Sequence, residues 1–152
     1  MKRILFVCHG NICRSPSAEM IMKKLIKDNE LENEFYVESA GVSYECNDGD
    51  PIYPESKQKL IERKIPFEER KSRQLRLDDY DKFDYFVAMD RGNVEDSKKI
   101  LNNDPHNKIS KLLDYTDIAR DIDDPWYSRD FEKAYTDIYM GCLGFLEYLI
   151  KQ

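Results

Sequence analysis

Short apolar runs that suit buried strands alternate along this chain with longer stretches of helical character. The apolar runs predict strands over residues 3–8, 35–38, 85–89 and 109–113. The intervening stretches predict helices over residues 16–28, 54–64, 92–102 and 131–150. This alternation favours an α/β fold, in which a parallel sheet carries helices on both faces.

The spacing of apolar residues indicates which face of each helix lies against the sheet. The first helix is expected to bury Ala18, Ile21, Met22, Leu25 and Ile26, and the second to bury Leu60 and Ile61. The last helix presents Tyr135, Ile138, Cys142, Phe145, Leu146 and Leu149 at core spacing. A chain of 152 residues is long enough for one complete core, and no repeat or linker divides it, so we expect a single domain over residues 1–152.

Composition narrows the classes of function. Apolar residues make up 41% of the chain and charged residues 36%, which is typical of a well-solvated globular protein. The net charge is −6 and no cluster of Lys and Arg is free of interspersed acids, so a nucleic-acid partner is not expected. No apolar run approaches the roughly 20 residues that span a membrane, and the run at the N-terminus is too short for a signal peptide.

Cysteine and histidine usage bears on compartment and cofactor. The four cysteines, Cys8, Cys13, Cys46 and Cys142, lack the spacing of a small disulfide framework. A reducing compartment therefore suits the chain, which predicts a cytoplasmic protein. The sequence holds two histidines and no pair of Cys-x2-Cys steps, so neither a metal nor another cofactor is expected.

The most informative segment follows the first predicted strand. Residues 7–16 read Val-Cys-His-Gly-Asn-Ile-Cys-Arg-Ser-Pro, so a cysteine leaves the strand and an arginine follows just before Ser15-Pro16 opens a helix. Ser15 is expected to cap that helix, and Gly10 to supply a positive φ in the turn. Backbone N–H groups that point inward at a helix N-terminus bind anions. The same field favours the thiolate form of Cys8, and the planar fork of Arg14 can hold two phosphate oxygens.

This segment resembles the signature of the low-molecular-weight protein tyrosine phosphatases, Cys-x4-Cys-Arg-Ser-Pro near the N-terminus. A second stretch, Asp123-Asp124-Pro125-Trp126-Tyr127, resembles the family's late Asp-Pro loop. Ser39-Ala40-Gly41 and Met89-Asp90 are further points of similarity, which runs through nearly the whole chain. The resemblance implies a four-stranded parallel sheet in the order 2-1-3-4, with Cys8 at the carboxyl edge where the strand order reverses.

The resemblance also implies metal-independent hydrolysis of phosphotyrosine in proteins or peptides. Cys8 would attack phosphorus to form a phosphocysteine, while Arg14 and the amides of residues 9–14 hold the phosphoryl oxygens. Asp124, directly before Pro125, would be the general acid for the leaving tyrosyl oxygen, and Asp123 is the competing candidate. Phosphate, sulfate and vanadate are the anions expected to occupy the loop.

Other residues are expected around this centre. The expected substrate-binding residues are His9, Gly10, Asn11, Ile12 and Cys13 in the loop and Trp126 and Tyr127 in an aromatic wall, with Tyr44 or Glu45 opposite. The expected supporting residues are Asn11, Ser15, Ser39 and Asp90. Where many family members carry a histidine in that network, this chain has Arg70, which is a departure from the family. Cys13 is also expected to protect an oxidised Cys8 by forming a disulfide with it.

Several alternatives stay open at this level. Ile12 matches the tyrosine phosphatases, whereas relatives specialised for phosphoarginine carry threonine there, so phosphoarginine hydrolysis is the second candidate. Thioredoxin-linked arsenate reductases share the loop but need two more cysteines in the middle of the chain, and residues 70–100 contain none. A non-catalytic phosphate-binding or redox-sensing module would keep the loop without needing Asp124. The chain is expected to be a monomer or a weak dimer.

Overall fold

A four-stranded parallel sheet forms the centre of the computed structural model, which describes residues 1–44, 46 and 48–152. Its strands are β1 (Lys2–Cys8), β2 (Phe35–Gly41), β3 (Tyr85–Ala88) and β4 (Ile109–Lys111). They lie in the order β2-β1-β3-β4, and the three pairings between them are parallel. The predicted α/β class and strand order are confirmed.

The helices follow the strands in alternation. They are α1 (Arg14–Asp28), α2 (Pro54–Glu62), α3 (Arg91–Ile100), the single turn α4 (Pro125–Ser128) and α5 (Phe131–Ile150). Short 3₁₀ turns lie at Leu77–Asp79 and Leu112–Tyr115. The pattern of apolar residues does not predict α4 or the 3₁₀ turns, because one turn is too short to show a period. Among the described residues, no helix combines the length and the apolar character needed to cross a membrane.

Helices cover both faces of the sheet because side chains alternate along β1. Ile4 and Phe6 point to one face, where they share a core with residues of α1, α2 and α5. Leu5 and Val7 point to the other face, against which α3 packs. All four side chains are fully buried, as a central strand covered on both sides requires.

The predicted core positions of α1 and α5 are buried, but one prediction for α2 is wrong. Leu60 is fully buried, whereas Ile61 is 52% exposed. Successive residues on a helix point about 100° apart, so two neighbours face the core together only where a wide stripe is covered. The face of α2 that packs against the core is narrow, and its buried residues are Ser56 and Leu60.

Candidate active site

Three separate parts of the chain line a cavity of about 230 Å³ at the carboxyl edge of the sheet: residues 8–14, the segment after β2, and residues 124–127. Cys8 ends β1, residues 9–13 form a loop that leads into α1, and residues 124–127 lie across the opening. The lining residues are Cys8, His9, Gly10, Ile12, Cys13, Arg14, Ser43, Cys46, Asp124, Trp126 and Tyr127. Within the described part of the chain, no three His, Cys, Asp or Glu side chains are grouped so that they could hold a metal ion.

The turn in the loop is made by Asn11 rather than by Gly10. Asn11 has φ 57°, while Gly10 is not among the described residues with positive φ, so the prediction for Gly10 is wrong. Asparagine tolerates this left-handed conformation, and its buried side chain is held on both sides. Its Nδ2 donates to Ser15 Oγ at 2.8 Å and to Ser39 Oγ at 3.0 Å. Its Oδ1 accepts hydrogen bonds from Arg70 and from the backbone N–H of Arg73.

Ser15 lies inside the first turn of α1 and does not cap it. The helix begins at Arg14, its N-cap residue is Cys13, and no side chain makes the capping hydrogen bond. The hydroxyl of Ser15 is directed instead to the sulfur of Cys8, with 3.0 Å between Oγ and Sγ. The prediction of a Ser15 cap is therefore wrong, because the loop uses that hydroxyl.

Arg14 is the largest fully buried polar side chain at this edge, with 2% of its surface exposed. One guanidinium nitrogen, Nη1, donates to Asp90 Oδ2 at 2.7 Å and to the Ile122 carbonyl at 2.8 Å. Burial works against the charge, yet Cys8, Asp124 and Asp90 together raise the pKa of Arg14. The result is a fixed, charged fork on the cavity wall, which is the form that binds phosphate oxygens.

Asp123 and Asp124, which the sequence leaves as competitors, have different surroundings. The Asp123 side chain is 58% exposed and pairs with Lys133 Nζ at 2.9 Å, which lowers the pKa of Asp123. The Asp124 side chain is 20% exposed, lines the cavity and places Oδ2 3.5 Å from Arg14 Nη2. Its other oxygen accepts the Trp126 N–H at 3.0 Å, which caps α4 and fixes the carboxylate. Asp124 is thus the aspartate that lines the cavity together with Cys8 and Arg14.

A family model described as low molecular weight phosphotyrosine protein phosphatase matches residues 3–152. The chain belongs to this family. The low molecular weight protein-tyrosine-phosphatase PtpA of Staphylococcus saprophyticus is 36% identical over 152 residues, which cover 99% of this chain and 96% of PtpA.

Solved structures agree with the family and with the fold. YfkJ from Bacillus subtilis is 36% identical and superposes with a TM-score of 0.93, covering 99% of this chain and 96% of YfkJ. The Drosophila arginine phosphatase DARP is 34% identical with a TM-score of 0.83, covering 98% of each chain.

Most residues predicted to contact substrate in this phosphatase do lie at the cavity. The exceptions are in the loop and opposite it. The side chain of Asn11 does not line the cavity, because it is fully buried behind the loop. Tyr44 is fully exposed and is not among the lining residues either, and Glu45 lies outside the described residues.

Two lining residues and one supporting residue are missed by the sequence reasoning. Ser43 and Cys46 line the cavity, and Cys46 Sγ fills space that Gly41 leaves open: it would be 2.7 Å from a Cβ at that position. The glycine in Ser39-Ala40-Gly41 was the available signal. Glu19 is a buried carboxylate on α1 that accepts the Ser39 hydroxyl at 2.6 Å and Lys23 Nζ at 2.8 Å. The sequence feature that could have predicted the role of Glu19 is the position of this acidic residue, one helical turn after Ser15 on the buried face of α1.

Proposed function

We propose that this phosphatase hydrolyses phosphotyrosine monoesters through a phosphocysteine on Cys8, with Arg14 as the phosphate clamp and Asp124 as general acid and base. One observation carries the proposal: the buried thiol of Cys8 and the fixed guanidinium of Arg14 line the same cavity as the carboxylate of Asp124, which comes from a distant part of the chain. A loop that merely bound phosphate would not need the carboxylate beside the guanidinium.

In the first step, the Cys8 thiolate attacks phosphorus, so that an S–P bond forms as the bond from phosphorus to the tyrosyl oxygen breaks. Charge spreads over three equatorial oxygens, which face Arg14 and the loop amides that lead into α1. Asp124 gives its proton to the leaving phenolic oxygen. The product in the cavity is phosphocysteine, and free tyrosine side chain departs.

In the second step, water takes the place that the phenol has left. Asp124, now a carboxylate, accepts a proton from that water as its oxygen attacks phosphorus. The S–P bond breaks, and phosphate leaves with Cys8 returned to the thiolate. Because the charged groups are already in place, phosphate, sulfate and vanadate are expected to bind the same loop. A catalytic thiolate needs reducing surroundings, so we infer that the protein works in the cytoplasm on phosphotyrosine-containing proteins or peptides.

Preference for phosphotyrosine is attributed to the walls of the cavity. Trp126 and Tyr127 follow Asp124 directly and stand 48% and 77% exposed at its rim. Trp126 also packs edge-on against Tyr53, with ring centroids 5.1 Å apart, which fixes one aromatic wall. A flat aryl ester can lie against such a wall while its phosphate reaches the loop. Ile12 lines the same cavity. We attribute the preference for tyrosine phosphate over arginine phosphate to this residue, since relatives specialised for phosphoarginine carry threonine at its position.

Three peptides of equal sequence, carrying phosphotyrosine, phosphoserine or phosphoarginine, test the substrate class. We expect kcat/KM for the phosphotyrosine peptide to exceed the other two by about 10²-fold, because both competitors leave the aromatic wall without a partner. Phosphate release is measured with a metal chelator present. Turnover that needs an added metal, or a phosphoarginine peptide that is hydrolysed fastest, contradicts the proposal.

A redox role for Cys13 is a separate proposal. Peroxide would oxidise the Cys8 thiolate to sulfenic acid and release hydroxide; the Cys13 thiolate would then attack that sulfur, forming the S–S bond as the S–O bond breaks and the oxygen leaves as hydroxide. Both thiols line the cavity, so no partner needs to be recruited. Burial raises the pKa of Cys13 to about 12, so the thiolate that makes the attack is scarce near neutral pH.

Disulfide formation after a limiting dose of peroxide is therefore expected to quicken by about tenfold per pH unit below the pKa of Cys13. Activity should return on adding dithiothreitol in the wild type and in Cys46→Ser, and should be lost for good in Cys13→Ser. Intact mass and peptide mapping follow the bond. Cys46→Ser is the matched control, since Cys46 also lines the cavity and burial raises its pKa to about 11. Loss of recovery in Cys46→Ser alone would assign the bond to Cys46 instead.

A further inference from the structure

The hydrogen bonds behind the loop run in one direction and end at the nucleophile. Asn11 Nδ2 donates to Ser15 Oγ at 2.8 Å, and that oxygen lies 3.0 Å from Cys8 Sγ. Since the Ser15 oxygen accepts from the amide, its own hydrogen is available to the sulfur, which is the direction that stabilises a thiolate. We call Arg70, Asn11, Ser15 and Cys8 the relay.

The direction of the relay depends on how the Asn11 amide is turned. If the amide were reversed, its oxygen would face Ser15, and the serine would donate to that oxygen rather than to sulfur. Two donors oppose this reversal by binding Oδ1: the Arg70 guanidinium and the backbone N–H of Arg73, the latter at 3.0 Å. Arg70 also donates to the Asn11 carbonyl at 2.9 Å, on the backbone of the residue with φ 57°.

We propose that Arg70 is a positioning residue that sets the direction of the relay, and that it does so independently of pH because a guanidinium can only donate. The proposal rests on the proposed function, since it concerns the same sulfur. Arg70 is not among the residues that line the cavity, so it acts on the reaction through Asn11 and Ser15.

The chemistry of the side chain is what makes the arginine informative. A neutral imidazole has one donor and one acceptor nitrogen, so it could accept from a reversed Asn11 amide, and it titrates near pH 6.5. Arginine has five donors, no acceptor, and stays charged in proteins. Burial lowers the pKa of Arg70, while Glu19 and Cys8 act to raise it, and the guanidinium remains the charged form throughout the range in which proteins fold.

Other titratable or charged groups act electrostatically on Arg70 from each element around it. They are Glu19 on α1, Cys8 at the end of β1, Cys46 in the segment after β2, and Arg73 in its own segment. Glu19 is already satisfied by Lys23 and the Ser39 hydroxyl, so it does not compete for the guanidinium as a close ion pair. Ser39 Oγ also accepts from Arg70 at 3.4 Å, which ties the same nitrogen to the network.

The test compares Arg70→His, Arg70→Lys and Arg70→Met with the wild type, using kcat/KM for a phosphotyrosine peptide between about pH 5.5 and 8. Arg70→Met should lose about tenfold at every pH, the size of one charge-assisted bond, because the Arg73 N–H still holds Oδ1. Arg70→His should stay near the wild type at the acid end and fall about tenfold as the imidazole loses its proton. Arg70→Lys should lie between them with a flat ratio to the wild type.

A second readout does not depend on phosphatase activity. Alkylation of Cys8 by iodoacetamide, followed by intact mass, should slow in Arg70→Met and should slow in Arg70→His only as pH rises. Arg76→Met is the matched control, since Arg76 is a mostly exposed arginine of the same segment whose side chain pairs with Asp48 at the surface. It should match the wild type in both readouts.

The possible outcomes separate this inference from the proposed function. Arg70→His that follows the wild type at every pH, or Arg70→Met that leaves kcat/KM and alkylation unchanged, overturns the positioning role. Equal, pH-independent losses in all three variants indicate packing alone and overturn it too. If the wild type fails to hydrolyse phosphotyrosine, the proposed function falls, while the alkylation rates still report on Arg70.

Discussion

Replacing Cys8 with serine is expected to lower kcat for p-nitrophenyl phosphate by about 10⁴-fold or more, since losing a nucleophile removes most of the catalysis of a site that works as a unit. A serine hydroxyl at this position is not ionised near neutral pH, so no S–P bond can form and no O–P bond replaces it at a useful rate. Phosphate binding should survive, because the loop amides and Arg14 are unchanged. Steady-state kinetics and calorimetric titration with phosphate measure the two effects.

Cys142→Ala is the matched control for the loss of a thiol. Cys142 lies in the core of α5, fully buried, with its sulfur against the Ala18 carbonyl at 3.8 Å and far along the chain from the loop. It should keep wild-type kcat with a lower Tm, because a small cavity replaces the sulfur. Full activity in Cys8→Ser would leave the cavity without its nucleophile and would refute the mechanism.

The fold was open to prediction because its signals are local. Four apolar runs alternate with helical segments, and the parallel sheet that they form confirms the class. The wrong predictions concern residues whose burial or hydrogen bonding depends on contacts made in the folded structure. Ile61 is apolar and next to Leu60, yet α2 covers one narrow stripe, so the sequence cannot say which neighbour is buried. Ser15 has the chemistry of a cap, but its hydroxyl oxygen accepts a hydrogen bond from Asn11 and lies 3.0 Å from the sulfur of Cys8 instead.

The residues of the loop and of the Asp-Pro segment were predictable because they are contiguous, whereas Ser39, Asp90 and Arg70 were expected only from the family resemblance and Glu19 was missed. The supporting network of the site is built from Glu19, Ser39 and Arg70, which lie 20 and 31 residues apart along the chain and meet at the Ser39 hydroxyl. No periodicity links such positions. Tertiary contacts likewise decide between Asp123 and Asp124 as the general acid. Lys133 from α5 pairs with Asp123, whereas Arg14 lies beside Asp124.

Replacing Asp124 with asparagine is expected to lower kcat/KM for a phosphotyrosine peptide by about 10²–10⁴-fold, the usual contribution of a positioned general acid. The loss should shrink for aryl phosphates with nitro groups, whose phenolate leaves without needing a proton. Asparagine keeps an oxygen that can accept the Trp126 N–H, so α4 and the aromatic wall should stay in place. A plot of log kcat/KM against leaving-group acidity, steeper for the variant, is the measurement.

Asp123→Asn makes the same chemical change one residue away and separates charge from position. Asp123 is more than half exposed and is neutralised by Lys133, so its loss should change kcat/KM by no more than about twofold. If Asp123→Asn gave the steeper leaving-group dependence, the proton would have to come from a carboxylate that points away from Arg14. The distance of 3.5 Å between Arg14 and Asp124 would then describe a structural ion pair rather than the acid. The general acid is expected to lie beside Arg14, because the guanidinium binds the phosphoryl oxygens on phosphorus while the acid protonates the leaving oxygen at the other end of the P–O bond that breaks.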